Sequence, residues 1–279
     1  MREHLTWTLP QTFLQLGPRT LIMGVLNVTP DSFSDGGKYF YRDNAIERGR
    51  QMEQEGADIL DIGGESTRPG SEPVMEEEEI RRVLPVIEAL APLLKIQISV
   101  DTYRPGVARR SIEAGAQIVN DISGLRFGGA MARLVKERRA AIVLMHSRGT
   151  RETLHKQSRM VQPLNEVLDG LASSIAAAQT AGIGDSAIAI DPGIGFGKDA
   201  VENVELLKNL DAFSRLRYPL LVGTSRKSFI LSMTGDSLEA RKWGTAASVA
   251  IAIMKGAHVV RVHDVRQMRL LADVADRLV

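Results

Sequence analysis

Short runs of β-branched and other apolar residues recur along this chain, each followed by a polar or glycine-rich stretch and then by a longer amphipathic segment. The runs are Leu21 to Val25, Ile59 to Ile62, Ile96 to Val100, Ile118 to Val119, Ala141 to Met145, Ile188 to Ile190, Leu220 to Val222 and Val259 to Val262. They have the length and composition of buried strands. Between them, helical spacing of apolar residues marks Asn44 to Glu55, Glu76 to Leu94, Pro105 to Ala114, Ala130 to Glu137, Asn165 to Ala181, Val201 to Asn209, Gly244 to Lys255 and Val265 to Leu278. Gly56, Gly115, Gly182 and Gly256 fall where helices should stop, supplying a left-handed cap before the next strand. Strand then helix, eight times over, predicts an α/β fold with an all-parallel sheet closed by outer helices, the (β/α)8 or TIM barrel. An open doubly wound sheet is the competing closure. No Pro/Ser/Gly linker or low-complexity tract divides the chain, so a single domain is expected. Residues 1–20 are the lead-in, with Thr6 to Gln15 as a small hairpin over the barrel floor, and residues 21–279 are the barrel.

Composition removes whole classes of function. With 44% hydrophobic residues over 279 positions, the chain can bury a full core. Thirty-five Lys and Arg against thirty-four Asp and Glu leave a formal charge of +1, which creates no field to gather nucleic acid or an anionic membrane. Neither partner is expected. The absence of cysteine excludes disulfides, thiolate zinc sites, iron–sulfur clusters and cysteine nucleophiles, and suits a reducing, cytoplasmic compartment. Met1 to Trp7 carries no apolar export core, and Ala140 to Met145 is far shorter than the roughly 20 residues a membrane span needs.

In a barrel, chemistry is expected at the C-terminal ends of the strands. Residues following the apolar runs are Asn27, then Gly63 to Pro69, Asp101, Asn120-Asp121, His146, Asp191, Ser225-Arg226-Lys227, and Arg261 with His263. Nearly every strand delivers a polar or ionisable group to one face, an arrangement that packing alone does not favour. Asp101, Asp191, Asp121 and the amide of Asn120 suit a neutral heterocycle offering several N–H groups. Arg68, Arg261, His263 and Lys227 suit phosphate oxygens. The expected substrate carries both features. The chain has no Gly-x-Ser-x-Gly elbow, no His-Glu-x-x-His helix and no Walker sequence, and the Gly-x-Gly within 191–198 lacks a dinucleotide-binding context. His146 is read as a structural histidine, His4, His155 and His258 as surface residues, and Glu76 to Glu79 as a solvated first helical turn.

These strand-end segments resemble the dihydropteroate synthase family. The likeness is carried by Met23 to Gly37 (MGVLNVTPDSFSDGG) and Asp61 to Gly70 (DIGGESTRPG), and continues through Ser99 to Thr102, Asn120 to Gly124, Met145-His146, Asp191 to Lys198, Ser225 to Ser228 and Arg261 to Asp264. Ser147 to Arg151 is more basic than the family pattern, and Trp243 stands before Gly244 where a smaller or charged residue is commoner. The resemblance implies displacement of pyrophosphate from 6-hydroxymethyl-7,8-dihydropterin pyrophosphate by the arylamine of para-aminobenzoate. By that likeness Asp101, Lys227 and Asp191 are catalytic, and Asp101, Asn120, Met145, Asp191, Phe196, Lys227 and Arg261 hold the pterin. Asn27, Ser66, Thr67, Arg68, Arg261 and His263 meet the pyrophosphate, with Mg2+ bound through Asn27. Phe33, Thr67, Pro69 and Ser228 enclose para-aminobenzoate, the position sulfonamides would take. A homodimer through the late outer helices is also implied. A methyltetrahydrofolate-dependent methyltransferase barrel has no use for the pyrophosphate residues, and a silent pterin-binding scaffold has no chemical need for intact loops. A Schiff-base role for Lys227 is disfavoured by its polar flank Ser225-Arg226.

The para-aminobenzoate residues sit on Gly-, Ser- and Pro-rich segments that no apolar periodicity ties to the core. Pyrophosphate with Mg2+ engages the same segments through Asn27 and Arg68, and a ligand shifts an equilibrium only through such differential contacts. Calorimetric titration should therefore find para-aminobenzoate binding weakly to the free protein and more tightly to protein saturated with Mg2+-pyrophosphate. Equal affinities would overturn the assignment.

Overall fold

Two short strands at the start of the chain, β1 (Leu5–Thr8) and β2 (Phe13–Leu16), pair antiparallel with Leu5 opposite Leu16 and Trp7 opposite Leu14. The computed structural model describes residues 2–29, 38–66, 71–150, 153–154, 156–235 and 237–279. Phe33, Thr67, Arg68, Pro69 and His155 lie outside the described residues. In the hairpin, Trp7 and Leu16 are fully buried while Thr6, Thr8, Phe13 and Gln15 face solvent, the two-residue alternation of a one-sided ribbon.

Eight parallel strands follow: β3 (Leu21–Asn27), β4 (Ile59–Gly63), β5 (Gln97–Asp101), β6 (Ile118–Asp121), β7 (Ala141–Met145), β8 (Ile188–Asp191), β9 (Leu221–Val222) and β10 (Val259–Val262). Consecutive strands pair from β3 to β8, β10 lies between β9 and β3, and a parallel bridge between Ile190 and Leu220 joins β8 to β9. The sheet is a nearly closed (β/α)8 barrel. Its outer ring comprises α1 (Lys38–Gln54), α2 (Glu76–Leu90), α3 (Pro105–Glu113), α4 (Ala130–Arg138), α5 (Pro163–Thr180), α6 (Ala200–Lys208), α7 (Ser228–Thr234), α8 (Leu238–Met254) and α9 (Val265–Ala275).

The pleat sorts every strand into two faces. Ile22, Leu26, Leu60, Ile62, Ile98, Val100, Val119, Ile142, Leu144, Ile190 and Val260 point outward into the layer shared with the helices. Leu21, Met23, Ile59, Ile118, Ala141, Val143, Ala189, Leu221 and Val259 point inward and meet Trp7, Leu9 and Leu16 from the hairpin in a second apolar cluster. The lead-in thus seals the N-terminal mouth of the barrel from below. Trp7 Nε1 donates to Ala187 O at 3.1 Å, so the ring is buried with its one polar group satisfied.

Four local features differ from expectation. Helix α2 stops at Leu90 because Pro92 cannot donate to Glu88 O and its ring crowds that turn. Gly244 does not open its helix but lies within α8, which starts at Leu238 with Ser237 Oγ accepting from Ala240 N at 3.0 Å. A Cβ on Gly244 would lie 2.1 Å from Ile230 of α7, so the glycine marks close helix packing. Glu79 is not solvated: it is buried and paired with Arg104. His258 is also buried, its Nδ1 accepting from Leu220 N at 3.1 Å and its Nε2 donating to Glu3 O at 3.0 Å. It ties the lead-in to β10, and burial lowers its pKa.

Trp7→Ala should lower the unfolding free energy by about 3–5 kcal/mol, the usual loss for a large buried aromatic. Denaturant unfolding monitored by circular dichroism checks this, and a change under about 1 kcal/mol would show the hairpin to be only peripheral to stability.

Candidate active site

Each barrel strand climbs from the apolar floor with the same inward parity, so the residue two or four positions above a floor residue also faces inward. Val25 and Asn27 follow Met23, Asp61 follows Ile59, Asn120 follows Ile118, Met145 follows Val143, Asp191 follows Ala189, and Arg261 and His263 follow Val259. Backbone register sets Asn27, Gly63, Asp101 and Asn120 side by side on β3 to β6, and Met145 beside Asp191. Apolar below and polar above, the barrel interior opens into a cavity at its C-terminal end.

The cavity has about 120 Å³ of free volume. It is lined by Asn27, Ser66, Asp101, Asn120, Met145, Asp191, Phe196, Lys227, Arg261 and His263. These ten residues of the sequence-based assignment therefore meet in one place. Ser228 does not line it; that residue opens α7 with its side chain exposed. Asp121 is turned away from it, its two carboxylate oxygens accepting from Ser123 N and Leu125 N at 2.8 Å, and so holds the turn after β6. His146 is partly buried beside the barrel mouth, where burial first and then Lys198 and Arg126 hold its pKa down at about 2.

Sequence reasoning passed over Asp61 and placed Glu65 and Ser225 at strand ends without giving either a role. Asp61 is fully buried, and its Oδ2 accepts from Arg261 Nε at 2.6 Å and from Asn120 Nδ2 at 3.0 Å. Arg261 Nη2 donates to Asp101 Oδ2, also at 2.6 Å. The signal for Asp61 was available: it interrupts the apolar run Ile59-Leu60-Asp61-Ile62, where only a paired carboxylate is tolerable. Ser225 Oγ lies 3.0 Å from His263 Nδ1 and accepts from His263 N at 3.3 Å. The pair ties the end of β10 to the turn after β9. Glu65 lines the cavity rim.

Burial and charge oppose one another here. Burial pushes the Asp101 carboxyl up, against the pull of Arg261. For Arg261, burial works against the charge but is more than offset by Asp61 and then Asp101, which hold the guanidinium above its ordinary value. Burial pushes Asp191 up to about 6, although Gly193 N donates to its Oδ1 at 2.7 Å and Lys227 favours the anion. The turn after Asp191 is rigid: Lys198 Nζ donates to His146 O at 3.0 Å, Gly193 O at 2.8 Å and Phe196 O at 3.1 Å. Gly193 has φ +65°, and a Cβ there would come within 1.9 Å of His146 O. Lys227 Nζ stands 3.8 Å from the centre of the Phe196 ring, a cation–π contact that aims the ammonium at the cavity. Asn120 Oδ1 is buried without a hydrogen-bond partner, an acceptor left for a ligand N–H. The cavity therefore combines carboxylates and an amide that can accept several N–H bonds with cationic and donor groups fit for an anion.

An N–H donor pair binds only the ionised form of Asp191. Because its pKa is raised to about 6, the carboxylate is present above that pH and lost as pH falls through it. Affinity for a pterin ring should hold between pH 8 and 7 and weaken below 6, and Asp191→Asn should weaken binding by at least about tenfold and flatten the profile. Fluorescence titration across pH 8 to 5 checks both, and a flat wild-type profile would remove Asp191 from the contact.

Residues 23–263 match the family described as pterin binding enzyme. The chain is similar to the dihydropteroate synthase of Synechocystis sp., 45% identical over 269 residues covering 96% of this chain and 93% of the relative. Among solved structures it is similar to Xanthomonas albilineans dihydropteroate synthase with 4-aminobenzoic acid, with a TM-score of 0.92, 41% identity and coverage of 99% and 98% of the two chains. The same enzyme in complex with 7,8-dihydropteroate gives a TM-score of 0.88, 39% identity and 98% coverage of each chain. With the match running from the first barrel strand to the last, and with all the strand-end motifs in order, the chain belongs to the dihydropteroate synthase family of pterin-binding barrels.

Proposed function

We propose that this chain condenses 6-hydroxymethyl-7,8-dihydropterin pyrophosphate with para-aminobenzoate, giving 7,8-dihydropteroate and pyrophosphate. The observation that carries the reading is a cavity whose one lining holds the carboxylates of Asp101 and Asp191 and the Asn120 amide together with Lys227, Arg261 and His263. A relative of the same fold has been solved with 4-aminobenzoic acid and another complex with the product 7,8-dihydropteroate.

In this reading Asp191 and Asn120 bind the N–H edge of the pterin, and Met145 and Phe196 wall its slot. Lys227 reaches the pterin carbonyl and the arylamine side together. Asn27, Ser66 and His263 meet the pyrophosphate with Arg261, and Thr67 and Arg68 join them. Phe33, Thr67, Pro69 and Ser228 surround para-aminobenzoate, where a sulfonamide would compete. The arylamine is neutral near pH 7 and nucleophilic, so the chain supplies little base catalysis. Its nitrogen bonds to the pterin methylene carbon, the carbon–oxygen bond to pyrophosphate breaks with its electron pair leaving on oxygen, and the amine proton passes to solvent. As that bond stretches, positive charge grows on the pterin and negative charge on the pyrophosphate. Asp101 faces the first and Arg261, Lys227 and His263 face the second, a preorganised division of charge.

Mg2+ fits this donor set only as an ion shared with substrate. Among the described residues no group of three or more His, Asp or Glu is clustered to cage a metal, while Asn27 offers one hard amide oxygen at the cavity wall. Mg2+ keeps water and phosphate oxygens in its shell, so one protein ligand suffices, and when bound it would neutralise pyrophosphate charge. A homodimer is part of the reading, supported by exposed apolar residues on adjacent outer helices, Ile251 and Met254 on α8 and Leu270 and Val274 on α9. Among the described residues no helix is long and apolar enough to cross a membrane. The cysteine-free chain suits the cytoplasm.

Mixing the protein with the pterin pyrophosphate and para-aminobenzoate should release pyrophosphate, and chelation of Mg2+ should suppress that release. Asp101→Asn keeps the shape but removes the charge facing the developing cation. Its kcat should fall by about tenfold or more while pterin affinity changes little. Equal losses in both would assign Asp101 to ground-state binding, and no pyrophosphate release by the wild type would overturn the reaction.

A further inference from the structure

Arg104, the residue just before α3, sits outside the cavity and has no part in the chemistry above. Its Nη1 donates to Glu65 Oε2 at 2.8 Å and to Glu79 Oε2, and its Nη2 donates to Val74 O at 2.7 Å. The guanidinium also lies 4.6 Å from the centre of the Tyr103 ring. Glu65 and Glu79 are almost completely buried, with side chains 4% and 1% exposed, and Arg104 itself is 16% exposed. Glu65 and Val74 are the two ends of the connection from β4 to α2, and Glu65 lines the cavity rim. Two further bonds close the same ends together: Val74 N donates to Glu65 Oε1 at 3.4 Å and Ser71 Oγ donates to Ser66 O at 2.7 Å. Arg104 lies three residues beyond Asp101, so one short segment carries both a carboxylate of the cavity and the clamp on the neighbouring connection.

We propose that Arg104 is a positioning residue for the proposed condensation: by holding Glu65, Val74 and Glu79 at once, it fixes both ends of the β4–α2 connection against the mouth of β5. The inference rests on the functional reading above for what that connection touches. A planar guanidinium suits the task because its fork reaches a carboxylate and a carbonyl in fixed directions, which an ammonium does not reproduce. None of these bonds reaches Asn120 or Asp191, the residues read as holding the pterin N–H edge, so losing the clamp should act on the anionic and para-aminobenzoate end and leave pterin binding intact.

The test compares Arg104→Met, Arg104→Lys and the double variant Arg104→Met with Glu79→Met, in which the buried carboxylate is no longer left without its partner. For each, KM for para-aminobenzoate, kcat, calorimetric binding of inorganic pyrophosphate with Mg2+, binding of 6-hydroxymethylpterin lacking pyrophosphate, and the thermal midpoint are measured. Arg104→Met should raise the para-aminobenzoate KM and weaken pyrophosphate binding by about tenfold or more, with the bare pterin bound as in the wild type. Arg104→Lys should recover part of that loss. The double variant should recover part of the thermal midpoint, since the Glu79 carboxylate is removed along with its partner, but not KM, because Glu65 and Val74 stay unclamped. If pterin affinity falls as the para-aminobenzoate KM rises, or if the double variant restores both stability and KM, Arg104 is merely structural and the proposal is overturned. Should Arg104→Met fail to fold, the lysine and double variants decide it. A wild-type protein that releases no pyrophosphate would overturn the functional reading, and the pyrophosphate calorimetry would still compare the variants.

Discussion

A β-strand turns alternate side chains to opposite faces, and in a closed parallel barrel both faces are enclosed, one by helices and one by the other strands. Each strand here therefore has to satisfy two environments with two interleaved sets of residues. The outward set is apolar up to Asp121 at the end of β6, as in Leu60 and Ile62 of β4 or Ile98 and Val100 of β5. The inward set changes character along the strand: Ile59 then Asp61, Ile118 then Asn120, Ala189 then Asp191, Val259 then Arg261. No hinge or second domain is needed to bring these polar groups together. Their convergence is a consequence of the pleat and of eight parallel strands ending on one face of the barrel.

What makes that interior tolerable is mutual neutralisation. Asp61 and Asp101 share Arg261, with both bonds at 2.6 Å, and Asn120 adds a donor to Asp61. Burying ionised groups without such partners would cost several kcal/mol each, and even a well-paired buried ion set adds little net stability over an apolar core of equal volume. The set is better understood as a fixed electrostatic field than as a fold stabiliser. Stability comes from the outer layer and from the hairpin beneath. Rigid anchors such as Lys198, with its three carbonyl acceptors, hold the loops at the rim of the field.

Much of this was legible in the chain itself. The eight apolar runs mark the strands to within a residue or two, and strand-end reading together with the family resemblance finds ten residues that line one cavity. What escaped has a common cause. Asp61 lies inside a run rather than after it, so a search of strand ends steps over it. Glu79 belongs to an acidic cluster whose neighbours are surface residues, and only the three-dimensional position of Arg104 distinguishes it. His258 looks like a polar residue at a helix end, and its burial depends on a lead-in segment more than two hundred residues away in sequence. The short α7 was missed because a seven-residue helix barely completes two turns of any periodic pattern. For Glu79 and His258 the deciding contact is long-range, and local pattern carries no trace of it.

The hairpin that closes the barrel from below gives the interior the topology of a blind well. Trp7, Leu9 and Leu16 pack against the inward residues of the floor, so a molecule that reaches Asp101 or Asp191 arrives and departs through the upper mouth. In such a well, order of arrival is set by depth. A ligand seated against the floor must enter before anything that occupies the mouth, and it cannot leave until the mouth clears. The product, which joins the deep and shallow ligands by one covalent bond, must withdraw as a single extended body. Exchange of the deepest ligand is thereby governed by the residence time of the shallowest one, a traffic rule imposed by a tryptophan on the far side of the molecule from the chemistry.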